Sequence, residues 1–311
     1  MNALTTLLHQ RASLTQQIRA FFAERNVLEV NTPLLSQAAV TDPGIESFHV
    51  ITGGHGRYLR TSPEFPLKRL LSAGAPDVFE LGAVFRDGEN GRLHNPEFNL
   101  LEWYRIGFEM QDLIDEVVAL LRIAGDNTFS GESVQQRTYY DLFQRTFGVD
   151  VRQFEAEQLA ELAAEHMAIP QGSMDVDQWL DLLFSSIIQP QLDKGIVVVT
   201  HYPASQAALA KLDPVAPDTA LRFEVFVGGV ELANGFEELN QSSEQAERFE
   251  SDNRLREFRE QKPMPIDTRF LESLDHMPAC SGVALGFDRL LMLCFDLQSI
   301  DETLALPWAL A

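Results

Sequence analysis

VFELGAVFRDG (78–88) and PEFNLLEWYRIG (96–107) are two apolar, strand-like runs, and the loop DGENGRLHN between them carries two glycines and several charges. Two such runs joined by a polar loop predict a long hairpin whose tip is offered for function. Hairpins mean antiparallel pairing. Working outward, LRFEVFVGGVELANGFEEL (221–239) predicts a second hairpin turning at Gly228-Gly229, and IVVVT (196–200) predicts a buried strand. Helices flank these strands. In residues 2–25, Leu4, Leu7, Leu8, Leu14, Ile18, Phe21 and Phe22 recur at roughly helical spacing. VLEVNTPLLS (27–36) reads as one extended strand that Pro33 holds near an edge. YLRTSPEFPLKRLLSAG (58–74) reads as a short strand and then a helix, with Pro63 and Glu64 in its first turn. Residues 110–124, 155–167 and 175–189 have helical periodicity. SSEQAERFESDNRLREFREQ (242–261) is a polar helix opening on a Ser242/Gln245 capping box, and GVALGFDRLLMLCFD (282–296) is a glycine-rich entry into an apolar helix. The expected fold is α+β, a single domain over 1–311 with a mainly antiparallel sheet and a helical insertion at about 125–195.

Charge narrows the function. The 311 residues carry 24 Lys+Arg against 46 Asp+Glu, a net charge of −22. Such a surface repels nucleic-acid backbones and anionic membranes over most of its area. No stretch of about 18 apolar residues predicts a membrane span. The start of the chain has no long apolar run of the signal-peptide kind. Two cysteines, Cys280 and Cys294, sit in apolar surroundings and read as reduced core residues of a cytoplasmic protein. GGHG (53–56) precedes no apolar helix, so it is neither a P-loop nor a dinucleotide fingerprint.

Three constellations carry chemistry. Arg86, His94, Glu97 and Phe98 share the first hairpin; the set suits a base stacked on Phe98 and a phosphate on Arg86, or else a salt bridge at a sheet edge. Glu231 and Glu238 suit a hard cation such as Mg²⁺. They stand seven positions apart, so a regular strand would point them to opposite faces; joint metal binding needs a bulge or kink between them, which Asn234-Gly235 could supply. Two solvated acids are the alternative. Gly282 and Gly286 permit close backbone approach at a helix entry, where Arg289 in the first turn would welcome an anion, or would pair with Asp288 or another nearby acid.

In order and spacing, these segments resemble the signature of class II aminoacyl-tRNA synthetases. The first helix with VLEVNTPLL is similar to motif 1, VFELGAVFRDGENGRLHNPEFNLLEWY to motif 2 and GVALGFDRLLML to motif 3. FVGGVELANGFEELN and HNPEFNLLEWY resemble the lysyl subgroup. Motif 1 begins almost at the first residue, so no N-terminal anticodon-binding barrel is expected. The chain most resembles the lysyl-tRNA synthetase paralogues that attach β-lysine to elongation factor P, as in CSGVALGFDRL and ELANGFEELNQSSEQAERFESDNR. Alanines 233 and 284 stand where lysyl-tRNA synthetases have glycine, a change of pocket shape without a change of charge, or neutral packing drift.

The resemblance implies roles. Arg86 would bind the α-phosphate and the substrate carboxylate, His94 and Asn95 would lie by the phosphates, Phe98 would stack on adenine and Arg289 would take the γ-phosphate. Glu231 and Glu238 would hold Mg²⁺, with Glu231 also counted in the ATP site. Glu102 and Tyr104 would take the distal ammonium and Glu64 the other amine, with Ala233, Ala284 and Gly286 around the pocket and Asn240 at the carboxylate end. The usual Phe-Arg-x-Glu is here Phe85-Arg86-Asp87-Gly88, and the acid comes one place later, at Glu89. The implied activity is activation of (R)-β-lysine by ATP as an adenylate and transfer to a lysine of elongation factor P, with a lysine 2,3-aminomutase as supplier, a homodimer through motif 1, and no tRNA partner. The alternatives are a related ATP-dependent amino-acid ligase or lysyl-adenylate former, and a non-catalytic regulatory paralogue.

Overall fold

The computed structural model describes residues 3–169, 173–192 and 195–311. The chain forms two compact units, Met1–Gly131 with Glu237–Ala311, and Glu132–Phe236. The first begins with α1 (Ala3–Glu24), β1 (Leu28–Glu29), β2 (Leu35–Ser36), β3 (His49–Thr52), β4 (His55–Leu59), α2 (Glu64–Ser72), β5 (Val78–Phe85), β6 (Glu97–Ile106) and α3 (Met110–Asn127). The second holds β7 (Val134–Thr138), α4 (Tyr139–Phe147), α5 (Ala156–His166), α6 (Val176–Leu183), β8 (Ile196–Thr200), β9 (Arg222–Val227) and β10 (Val230–Glu237). The chain then returns to the first with α7 (Ser242–Phe258), α8 (Thr268–Leu274), β11 (Cys280–Gly286) and α9 (Phe287–Cys294).

In the first unit the strand order is β1-β5-β6-β11, and β2-β4-β3 form a small separate sheet. β5–β6 and β6–β11 are antiparallel; β1 lies parallel to β5. The register aligns Phe79, Trp103 and Val283 in one row and Leu81, Leu101 and Leu285 in another. Because side chains alternate across a strand, these rows share one face. Phe22 of α1 stacks on Phe79 at 4.5 Å and meets Trp103 edge-on at 5.3 Å, while Trp103 Nε1 donates to Glu116 of α3 at 3.0 Å. Burying each such aromatic stabilises the fold by roughly 2–3 kcal/mol. The opposite face carries Glu80, Gly82, Val84, Phe98, Leu100, Glu102, Tyr104, Gly282, Ala284 and Gly286 by the same registers. On it β11 contributes only glycine and alanine, which leaves room above the long side chains of β6.

The second unit orders its strands β10-β9-β8-β7. All of β8 is buried, and Tyr139, Phe143, Trp179, Phe184, Tyr202 and Phe226 form its core with α4 to α6. Gly228 and Gly229 turn the β9–β10 hairpin with φ of +59° and +76°, as a two-residue turn of that twist requires.

Several expectations change. The strand expected over 27–36 is broken into β1 and β2, which belong to different sheets. Pro33, between them, has no N–H to continue a ladder. The Ser242/Gln245 capping box is absent: Gln241 stands at the N-cap position of α7 without a side-chain capping bond, and the Ser242 N–H and Oγ donate instead to Asp275 at 2.9 and 2.7 Å. Residues 282–286, expected as a helix entry, belong to strand β11. The stretch 125–195, expected to be helical, includes strand β7, and its residues 170–172, 193 and 194 lie outside the described residues, as does residue 2 of the first helix.

Candidate active site

The hairpin β5–β6 places an arginine at its mouth. The backbone N–H of Arg86 donates to Pro96 O at 2.9 Å, closing the loop's base. Its Nε donates to Thr61 O at 3.4 Å and its guanidinium lies 5.2 Å from the centre of the Phe98 ring. Gly88, at φ +79°, lets the chain turn back so that Glu89 reaches Arg86 at 3.5 Å. The acid displaced by one position from the usual motif is thus the resting counter-ion of Arg86. Arg289 Nε donates to Leu93 O at 3.3 Å, and its NH2 lies 2.7 Å from His94 Nε2. A guanidinium only donates, so this contact makes His94 accept through a bare Nε2. Asp288 does not pair with Arg289: its buried carboxylate accepts from Arg11 and from the Asn99 N–H, both at 2.6 Å. Arg289 instead faces the hairpin loop through Leu93 and His94. Asn95 is buried, with Nδ2 donating to Glu97 O at 2.5 Å and Oδ1 accepting from the Trp308 N–H at 3.2 Å, so it fixes the end of that loop. Gly286 is the N-cap residue of α9.

The second cluster is acidic and enclosed. Glu102 is buried; its Oε2 accepts from Ser62 Oγ and its Oε1 from the Tyr104 hydroxyl, both at 2.7 Å. Glu64, at the start of α2, accepts from Lys68 Nζ at 2.6 Å, and Lys68 lies 2.5 Å from Oε2 of Glu238. Lys68 and Glu238 are fully buried. Burial first, and then the negative charge of Glu64, push the Glu102 carboxyl up to about 7. Burial pushes Glu238 up as well, to about 8. Burial opposes the charge of Lys68, but Glu238 and Glu64 outweigh it and keep the ammonium protonated. Oε1 of Glu238 has no hydrogen-bond partner. A Cβ added at Gly282 would run into the Tyr104 ring and come 2.5 Å from that same oxygen, so glycine at 282 is what lets Tyr104 and Glu238 pack against β11. Ala284 pairs directly with Glu102 across the sheet and is half-buried.

The remaining predicted residues fall elsewhere. Asn240 gives its amide to Met277 O at 3.3 Å. Ala233 is buried in β10 opposite Val225, within the second unit. Glu231, half-buried, is also in the second unit, whereas Glu238 belongs to the first. A register shift does occur on β10, but between Glu231 and Ala233; Asn234 and Gly235 pair regularly with Glu224 and Phe223. Among the described residues no group of three or more His, Cys, Asp or Glu is placed to hold a metal ion. The partnerless Oε1 of Glu238 is one oxygen suited to a hard cation. Sequence reasoning missed Lys68 and Ser62. Lys68 stands four residues after Glu64, a helical spacing that puts both on one side of α2.

An arginine and an aromatic at a hairpin mouth, a second arginine entering from a strand–helix junction, and an enclosed acidic pocket on the same sheet face define the class: a class II synthetase-type catalytic domain. A family model, tRNA synthetases class II (D, K and N), matches residues 1–309, and the chain belongs to that family. It is 45% identical to the elongation factor P–(R)-beta-lysine ligase of Vibrio cholerae serotype O1 (strain ATCC 39315 / El Tor Inaba N16961), over 97% of this chain and 95% of that protein. It is 42% identical to the proteins of that name from Vibrio atlanticus (strain LGP32), over 97% and 95%, and from Yersinia enterocolitica serotype O:8 / biotype 1B, over 96% and 94%. The chain is an ATP-dependent ligase. No helix among its described residues is long and apolar enough to cross a membrane.

Proposed function

We propose that this chain activates (R)-β-lysine with ATP and transfers it to the ε-amine of a lysine on elongation factor P. The observation that carries the reading is the enclosed group of Glu64, Glu102 and Glu238 around one lysine, on the sheet face that leads to Arg86. Three acids around one ammonium leave two in excess, which suits a substrate with two ammonium groups that would draw them into their charged form, since an unpaired buried charge is costly. An aspartate-activating site would need cations in excess there, whereas here the one ammonium, Lys68, is already paired with two of the three acids.

Two steps follow. A carboxylate oxygen of β-lysine attacks the α-phosphorus of ATP, an O–P bond forms, and the bond to pyrophosphate breaks. The acceptor amine nitrogen then attacks the acyl carbon, AMP leaves, and the nitrogen sheds a proton to solvent. Arg86 draws the two anions together once they displace Glu89, and positioning with charge neutralisation lowers the barrier. Phe98 supplies a face for adenine, His94 and Arg289 meet the outer phosphates, and Ala284 shapes the amino-acid end. Mg²⁺ bound to ATP would neutralise phosphate charge. A homodimer, a cytoplasmic location and supply of β-lysine by an aminomutase complete the proposal.

The test is ATP–pyrophosphate exchange with (R)-β-lysine, α-lysine and aspartate side by side. β-Lysine is expected to support the fastest exchange, and Arg86→Ala to slow it on the order of 10²-fold, as for other preorganised charge donors. Faster exchange with α-lysine would make the chain a lysyl-adenylate former, and no exchange with any of the three would sink the catalytic reading.

A further inference from the structure

Lys68 is fully buried in a helix whose neighbouring inward positions, Leu67 and Leu71, are apolar. Burying an ammonium is expensive unless it is paired, and a leucine or methionine would pack there at less cost. Its Nζ is shared between two carboxylates from distant parts of the chain, Glu64 of α2 at 2.6 Å and Glu238, just after β10, at 2.5 Å. The third carboxylate, Glu102 of β6, is held by Ser62 and Tyr104 instead. No other charged side chain makes an ion pair with these three carboxylates among the described residues. Each carboxylate is therefore fixed by donors of the protein, and two of the three depend on Lys68 for their aim.

We propose that Lys68 is the positioning residue of the ammonium pocket: by bridging Glu64 and Glu238 it sets where both carboxyl groups point and leaves the enclosure two acids in excess of its own ammonium for the substrate. The inference deepens the proposed function and rests on its assignment of a diamino acid to this pocket. It gives the internal lysine the place that a third substrate ammonium would otherwise fill. Removing it frees Glu64 to swing into solvent and leaves Glu238 without its partner.

The experiment is pyrophosphate exchange by the full chain, varying β-lysine and ATP separately, for wild type, Lys68→Met, Lys68→Gln, Lys68→Arg, Glu64→Gln and the double variant Glu64→Gln/Lys68→Met. Each Lys68 variant is expected to raise KM for β-lysine about tenfold or more, the scale of a lost hydrogen bond to a charged group, while KM for ATP moves less than about twofold. The double variant is expected to cost no more than the larger single one, because both act through one contact. Where the neutral variants do not fold, Lys68→Arg decides, since it keeps the charge and changes only the aim. An unchanged KM for β-lysine, additive losses in the double variant, or equal damage to both substrates' KM values and kcat would overturn the inference. Wild-type exchange that prefers a single-amine acid over β-lysine would instead overturn the reading on which it rests.

Discussion

Glu102 is a carboxyl that burial pushes toward its protonated form. Its ordinary value of 4.5 is pushed up to about 7, by burial first and by Glu64 second, against the pull of Ser62, Tyr104 and Lys68. Between those two values the folded chain holds a proton that the unfolded chain has released. Stability contributed at this site is therefore present below about 4.5 and is lost as pH rises through about 7, a loss on the order of 3 kcal/mol. The expected outcome is a melting temperature for the ligand-free chain that falls between pH 5 and pH 7.5, and a flatter profile for Glu102→Gln. Thermal unfolding of both proteins across that range checks it; parallel slopes would show that the carboxyl is not perturbed. An ammonium beside Glu102 reverses the preference, which is how a pocket that is uncomfortable when empty becomes one that favours a cation.

At the scale of elements, α7 steadies the hairpin loop without touching a substrate. Arg256 is fully buried and donates to Lys262 O at 2.8 Å, Asp42 O at 2.9 Å and Ile45 O at 3.3 Å, and it pairs with the Glu46 carboxylate at 2.5 Å. Glu46 O in turn accepts from the N–H of Asp87, the residue after Arg86. Arg256→Met should destabilise the chain by about 3 kcal/mol, because three carbonyl oxygens lose their buried donor and partly exposed Glu46 loses its partner, and raise KM for ATP more than KM for β-lysine. Denaturant unfolding and exchange kinetics measure the two effects. Element by element, the sequence was most legible where chemistry and pattern agreed: the β5–β6 hairpin, α1, α2 and the β9–β10 turn stand where periodicity and turn residues put them. It was least legible where the site suppresses the pattern. β11 has Gly282, Ala284 and Gly286 on one face, so its alternation lacks a polar half and resembles a loop. Lys68 was invisible because a lysine at helical spacing ordinarily reads as solvated. The bulge was required by the odd spacing of Glu231 and Glu238, but its place at Leu232 follows from pairing with β9, which no local residue announces.

At the scale of the molecule, a charge of −22 means that the folded chain repels itself. Salt shortens the range of that repulsion to about 10 Å at 0.1 M. The melting temperature should therefore rise by a few degrees between about 20 and 300 mM NaCl at pH 7.5, and a fall would show that exposed ion pairs such as Arg19–Glu29, 2.8 Å apart, outweigh the net charge. The two units also differ in how they use the chain. Glu132–Phe236 is continuous, whereas the other unit is assembled from residues on both sides of it.

That division has a consequence for synthesis on the ribosome. β6 is paired along one side by β5, which precedes it, but its other side waits for β11; Ser281 and Phe108, which hydrogen-bond at that seam, are 173 residues apart. At 5–20 residues per second the wait is on the order of 10–30 s. Throughout it a ten-residue strand bearing Leu100, Leu101 and Trp103 has an open edge, the kind of template that invites pairing with another nascent chain. Yield of this protein in a cell should thus depend on chaperone supply and translation speed more than its finished stability would suggest.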